Sequence, residues 1–375
     1  MWSLAAWTLV VGLIGAARPK QASWHFFTAA SHALFDPTVG RHHQLGLHLY
    51  AARPAYQFGP ISILLAELVK VVSFGHSAVG ASILIGAMIL PIVWLILDAR
   101  QAIGPVPHRT ATISAVCALF GLPVLWTYLS VYSLHLDDAL ATLFTVFAIW
   151  GVARKREYVV GLGLGLAVAS KPWAAAFAPL LLAVPKGGRL RAAAIAAVSG
   201  AILWVPFVIG DSATIHALGH FRIPNVPESA LRALGFHNHA TPGWDRMAQF
   251  VTGGLVGVWC VRTGRWPGAV MAAAAIRIAI DPSAHPYYAA SFVVFVAAWE
   301  LIWARWSVPV ISVATTILLG VPRYVRWPFN IVGDLRLTAC VLVVTAAMFT
   351  PLRVQTPGQV EPCQPVEPVE AAALG

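Results

Sequence analysis

The residues able to do chemistry in this chain fall into five short stretches. His135-Leu136-Asp137-Asp138 stands at the start of a long apolar run. An Asp at a helix N-terminus is favoured by the free N–H groups and the helix dipole. Capping explains one acid, but not two acids with a His two residues before them. Such a pair can position a general base or bind a cation. Ser170-Lys171-Pro172-Trp173 lies in a tight turn between two apolar runs. A lysine there either snorkels or holds a phosphate as a point charge. Asp281-Pro282-Ser283-Ala284-His285-Pro286-Tyr287-Tyr288 opens with the turn signal Asp–Pro. His285 and Tyr288 there are candidate hydrogen-bonding partners of a ligand, and an ordinary aromatic belt is the competing reading.

The other two stretches are more diffuse. Arg323-Tyr324-Val325-Arg326-Trp327 carries two arginines three apart, a spacing that lets both grip one phosphate or a lipid headgroup. Near the start, Ser23-Trp24-His25-Phe26-Phe27 is followed by His32, Asp36, Arg41-His42-His43, His48 and Tyr50. This fits an amphipathic helix at a membrane surface, or half of an active site placed there. No Walker motif, HExxH or GxSxG is present. Gly161-Leu162-Gly163-Leu164-Gly165 lies inside an apolar run and reads as helix packing. Of the four cysteines, none forms a CxxC pair, so zinc and redox readings have no support. Carboxylates and histidines offer ligands for Mg²⁺ or Mn²⁺, but their spacing specifies no metal site.

The elements that must position these groups are apolar. Hydrophobic residues make up 58% and charged residues 11%, with a mean hydropathy of +0.74. Soluble domains carry roughly 25% charged residues. The composition excludes a soluble enzyme, a disordered chain and a disulfide scaffold, and leaves an all-α polytopic transmembrane bundle. The net charge of +10 fits basic loops facing anionic lipid, not a nucleic-acid partner.

Apolar runs predict about 11–12 spans, at 1–17, 79–97, 110–129, 137–153, 158–170, 172–184, 192–210, 247–261, 268–280, 287–304, 306–320 and 335–350. Met1–Ala17 reads as a retained first span, because the basic segment of a signal peptide is missing. The stretch 60–74 is apolar but short, and reads as interfacial or re-entrant. Arg154-Lys155-Arg156, Lys186, Arg189, Arg191, Arg262 and Arg265 then share one side, the cytoplasm, with both termini. Residues 18–78, a loop with interfacial helices, and 211–246 face outward. On this layout 12 of the 13 histidines are outer, so the titratable chemistry gathers on the extracytoplasmic face. The membrane domain covers 1–353, and 354–375 is a disordered cytoplasmic tail.

This order of elements resembles the GT-C membrane glycosyltransferases. The features are one span, a long aromatic outer loop, Tyr56-Gln57-Phe58-Gly59-Pro60 leading into an apolar helix, an acidic motif, a Lys-Pro-Trp turn and a late His-Pro-Tyr-Tyr turn. Within that superfamily it looks most like the family 87 type, actinobacterial mannosyltransferases that use polyprenyl-phosphate-mannose. The resemblance implies a polyprenyl-phosphate-sugar donor, a lipid or glycan acceptor, membrane lipid as surroundings, inversion at the anomeric carbon, and no nucleotide. It also implies a general base in the first outer loop, an Asp four residues before a Tyr. Here Ser23 and Phe27 stand at that spacing. Asp138 and Asp137 are then the first candidates for base or acceptor positioning, with Asp36 behind them and His25 nearby. Lys171, Arg323 and Arg326 are candidates for the donor phosphate, and His285 and Tyr288 for phosphate or sugar. A transporter of lipid-linked solutes and an inactive subunit of an envelope-synthesis complex are the competing readings.

Overall fold

The computed structural model describes residues 10, 23–35, 45–104, 122–220, 222–303, 309–323, 325 and 327–350. Among them the chain is helical throughout, and the only β pairing is an isolated bridge between Pro224 and Ala240. Asp36, Arg326 and the tail 354–375 lie outside the described residues.

Helix α1 (Trp24–Phe35) precedes the short α2 (Leu49–Ala52) and α3 (Pro60–Val72). Helices α4 (Ser77–Ala87) and α5 (Ile89–Ile103) follow almost without interruption. The break falls at Met88, three residues before Pro91, which has no N–H to donate to the carbonyl of Ala87 and whose ring a regular helix would press against it. Next come α6 (Leu122–Thr127), a π-helical turn (Tyr128–Ser133), α7 (Leu136–Ala153) and α8 (Glu157–Ser170). A 3₁₀-helix, Pro172–Ala183, carries Pro179 inside it and leads to α9 (Lys186–Gly210). The segment 211–246 holds two small helices, α10 (Ala213–His220) and α11 (Ala230–Ala233). The last five are α12 (Asp245–Arg262), α13 (Gly268–Ile280), α14 (Tyr287–Trp303), α15 (Val310–Gly320) and α16 (Phe329–Phe349).

Among the described residues, four stretches are long and apolar enough to cross a membrane: Ser77–Ile103, Leu136–Ala153, Lys186–Gly210 and Phe329–Phe349. The apolar helices Glu157–Ser170, Pro172–Ala183, Gly268–Ile280, Tyr287–Trp303 and Val310–Gly320 are shorter. Among the described residues, length and composition therefore support four of the expected 11–12 spans; the expected spans 1–17 and most of 110–129 lie outside the description.

Helix α14 is the centre of the bundle and is buried along nearly its whole length, with Phe292, Phe295 and Trp299 fully enclosed. Helix α9 lies at the periphery, with Leu190, Val198, Ile202 and Ile209 exposed. An exposed apolar face of this size suits lipid rather than water. The glycine run in α8 does pack helices. A Cβ at Gly163 would press on the Phe144 carbonyl of α7, and one at Gly165 on Ser199 of α9. Gly59 has a different task. Its N–H donates to the Ser170 carbonyl at 2.6 Å, and any side chain there would run into the carbonyl of Ala169. The start of α3 is thereby held against the end of α8, next to Lys171.

Candidate functional site

The site begins with three local irregularities. The first is the π-helical turn Tyr128–Ser133, which ends at Leu134 in left-handed backbone (φ 51°, ψ 47°). Strained or irregular backbone of this kind gathers at functional positions. It delivers His135 as the residue before α7, with Asp137 and Asp138 in the first turn. The second is Lys171, which is extended (φ −153°, ψ 116°) because the following Pro172 disfavours helical backbone. Helix α8 ends there, and the lysine turns toward α7. The third is the Asp–Pro turn. Asp281 Oδ1 accepts hydrogen bonds from the Ser283 N–H at 2.8 Å and the Ser283 hydroxyl at 2.6 Å, which fixes the approach to α14.

These three pieces meet. Lys171 Nζ lies 2.9 Å from Asp137 Oδ2 and also bonds Asp138 Oδ2. His135 Nδ1 is 3.2 Å from Asp137 Oδ1 and 3.5 Å from Asp138 Oδ2. The other ring nitrogen, Nε2, is 2.8 Å from Ser23 Oγ. The neutral tautomer protonated on Nδ1 satisfies both sides, donating to Asp137 and accepting from Ser23. The His135 ring stacks on Tyr287 at 3.5 Å between centroids, and Tyr287 stacks in turn on His285 at 5.1 Å. Tyr288 meets Tyr287 edge-on, and Lys171 sits under 6 Å from both tyrosine rings.

A second buried cation completes the group. The Arg277 guanidinium lies 4.2 Å from the Trp173 ring and 4.2 Å from the Tyr288 ring, a cation held between two aromatic faces. Burial disfavours the charge of Lys171, but Asp137 and Asp138 outweigh it and hold its pKa above the ordinary lysine value. His285 behaves oppositely. Burial outweighs the attraction of Asp281, and His135, Lys171 and Arg336 push the same way as burial, so its pKa falls to about 4. His285 is therefore neutral at physiological pH.

Most of these groups border one cavity of about 850 Å³. Asp137, Lys171, His285 and Tyr288 line it, as the sequence reading expects of one site, and Ser23, His135, Trp173 and Arg277 join them. Much of the remaining wall is apolar, including Phe26, Phe27, Phe58, Met247 and Phe250. Asp138 is fully buried behind the wall. His25 is exposed on α1, its ring against Phe26 and off the cavity wall. Arg323 ends a 3₁₀ turn, and its side chain lies outside the description. Its neighbours Pro322, Val325 and Trp327 line a second cavity of about 820 Å³, which shares His285 and Ile223 with the first.

Arg277 is the residue that sequence reasoning missed. The run Ala272-Ala273-Ala274-Ala275-Ile276-Arg277-Ile278 reads as a plain span. An ionisable residue inside such a run is expensive and marks a functional candidate by itself, so the signal was present.

His135, Asp137 and Asp138 also bring ligand atoms within 4.8 Å of one another, a spacing that the sequence did not specify. The Lys171 ammonium already bridges the two carboxylates. A divalent ion would have to displace it, and the cluster therefore does not fit a resident metal.

Comparison of the chain with family models, curated proteins and solved structures gives no match.

Proposed function

We propose that this chain is an integral membrane glycosyltransferase that moves a hexose, mannose by resemblance, from a polyprenyl-phosphate donor to a lipid or glycan acceptor. The reaction takes place at the extracytoplasmic face, with the termini in the cytoplasm. The observation that carries this reading is the pairing, in one cavity, of two buried cations with a carboxylate–imidazole pair and apolar walls. A lipid-phosphate donor needs each of these parts. Its chain wants apolar surface, its phosphate wants cations, and its sugar wants rings to lie against.

In this mechanism Arg277 and Lys171 hold the donor phosphate. Arg277 presents a planar fork suited to phosphate oxygens, and its two aromatic neighbours fix its plane. Lys171 commits two of its three N–H donors to Asp137 and Asp138. The acceptor hydroxyl attacks the anomeric carbon as the bond to the phosphate oxygen breaks. Polyprenyl phosphate leaves with that electron pair, and the sugar inverts. The acceptor hydroxyl takes the place of Ser23 Oγ at His135 Nε2 and gives its proton to that nitrogen, with Asp137 stabilising the resulting imidazolium. Asp138, out of reach of the cavity, anchors Lys171. Neutral His285 and the Tyr288 ring contact the sugar.

The test is transfer of labelled mannose from polyprenyl-phospho-mannose by the full chain in lipid nanodiscs. Asp137→Asn is expected to lower turnover by about 10²–10⁴-fold, the usual cost of losing a general base or its partner. Arg277→Met is expected to raise the KM for the donor more than it lowers kcat. Full activity in both variants, or no product from the wild-type chain with a polyprenyl-phospho-sugar, overturns the proposal.

A further inference from the structure

The contact between Ser23 and His135 has a meaning that glycosyl transfer does not use. Ser23 Oγ, His135 Nε2, His135 Nδ1 and Asp137 Oδ1 form one chain of hydrogen bonds, 2.8 Å on the serine side and 3.2 Å on the acid side. That is the order and spacing in which an imidazole activates a serine hydroxyl, with a buried carboxylate fixing the tautomer. We infer that Ser23, His135 and Asp137 form a nucleophilic triad, and that this cavity transfers or hydrolyses the acyl group of a carboxylic ester through an acyl-Ser23 intermediate.

Each part is held in place. The backbone N–H of Ser23 donates to the Ser133 carbonyl at 3.2 Å, so the serine is docked on the same π-helical turn that delivers His135. Helix α1 is fixed behind it. Trp24 Nε1 donates to Ser77 Oγ at 3.1 Å, and the Phe27 ring packs on Phe58 at 4.5 Å. His135 cannot swing, because its ring is stacked on Tyr287. Asp137 is 3% exposed and its second oxygen is bound by Lys171, so it acts as a fixed anion behind the imidazole. Ser23, His135 and Asp137 all reach the cavity.

Ser23 also sits directly before the twelve-residue α1. The first amides of a helix, here Trp24 and His25, have no intrahelical acceptor, and the helix dipole places partial positive charge there. A nucleophile just ahead of a helix therefore has N–H donors beside it for a developing oxyanion. The walls indicate the substrate class. Phe26, Phe27 and Phe58 beside the serine suit an acyl chain, and Lys171 and Arg277 suit an anionic headgroup. An acylated lipid with a phosphate or carboxylate head meets both requirements.

The step balances without a further reagent. Ser23 Oγ attacks the ester carbonyl carbon while its proton moves to His135 Nε2, and the carbonyl π pair moves onto oxygen. The C=O then re-forms and expels the alcohol oxygen with its bonding pair, and that oxygen takes the proton from His135. Water or a second alcohol repeats the sequence at acyl-Ser23 and regenerates the hydroxyl.

The test uses a biotinylated fluorophosphonate, which phosphonylates activated serines, on the full chain in nanodiscs, with peptide mass spectrometry to locate the adduct. The expected result is one adduct on the peptide carrying Ser23. It is lost in Ser23→Ala, and it forms about 10²–10⁴-fold more slowly in His135→Gln, the range expected for losing a general base. Thermal melting of the same samples identifies any variant that fails to fold, and the wild-type result alone decides the matter if a variant does. No adduct on Ser23 in folded wild-type protein, or an equal rate in folded His135→Gln, overturns the inference. Labelling without mannose transfer leaves this inference standing and removes the glycosyltransferase reading. Mannose transfer without labelling does the reverse.

Discussion

The two ends of α14 both adjoin buried carboxylates, and the contrast between them separates architecture from chemistry. Near its C-terminal end, Glu300 accepts from the N–H groups of Ile311 and Ser312 at 2.8 and 2.7 Å and from the Ser312 hydroxyl at 2.5 Å. These are fixed neutral donors at the start of α15. The acid caps a helix from a distance, and it lines none of the cavities described above. At the N-terminal end, Tyr287 stacks on His135 and both tyrosine rings lie near Lys171, and these two residues are the partners of Asp137 and Asp138. Those partners are themselves titratable, and they open onto a cavity. A buried acid is therefore identified by its company rather than by its burial. Backbone donors make it a structural cap, whereas ionisable donors beside open space make it a group that can move a proton.

Removing the cation is the strongest way to break this comparison. Lys171→Met leaves Asp137 and Asp138 buried with a shared histidine and no ammonium between them. Breaking a buried ion pair from one side costs about 3–5 kcal/mol, because the remaining charge is left uncompensated. A large fall in melting temperature is expected. Adding Asp137→Asn and Asp138→Asn to the same chain should recover much of it, since the stranded charges are then gone. A Lys171→Met protein that melts with the wild type would mean the cluster is not a coupled unit.

Glu300→Gln sharpens the same comparison from the other end. The amide keeps one acceptor oxygen but sets an NH₂ group against donors, leaving a buried mismatch that costs about 1–3 kcal/mol. Melting temperature should fall moderately, while mannose transfer and Ser23 labelling in the folded protein stay at wild-type levels. Loss of either activity without loss of stability would place Glu300 in the chemistry after all.

Much of the site was legible in the sequence because its signals are local. A His and two acids opening an apolar run, a Lys before Pro-Trp, and a His between prolines over two tyrosines are each visible within eight residues. Their convergence was expected from the outer-face layout, and Asp137, Lys171, His285 and Tyr288 do share one cavity. What could not be read was direction. Asp137 and Asp138 are adjacent in sequence, but a helix turns about 100° per residue, so one reaches the cavity and the other is buried behind it. His25 and Ser23 are two residues apart, yet Ser23 reaches His135 while His25 points away from the site. Lengths were only partly legible. Pro172 and Pro179 turn the apolar run 172–184 into a 3₁₀ segment, and pattern alone does not distinguish that from a span.

The smallest expected effect concerns His285, which lines both cavities and tests how far the packed cluster around Lys171 extends. Burial lowers its pKa to about 4, from an ordinary value of about 6.5. Above pH 6.5 both folded and unfolded chains carry the neutral ring, and this group adds no pH dependence. As the pH falls from 6.5 toward 4, the unfolded chain takes up the proton and the folded one does not, so the folded state loses stability through that window. Protein atoms surround the ring closely enough to lower its pKa, yet the residue keeps an exposed surface, and solvent screening there keeps the loss modest. An NMR titration of histidine ring carbons should show the His285 imidazole still neutral at pH 5.5, and His285→Asn should remove that signal along with part of the acid sensitivity of melting. A midpoint for His285 at or above 6.5 would mean that solvent at the exposed ring outweighs its packed surroundings, and that the ring stands apart from the buried cluster around Lys171. The pairing of Lys171 with the carboxylates would stand, because those groups are buried in their own right, and His285 alone would belong to the surface side of the comparison.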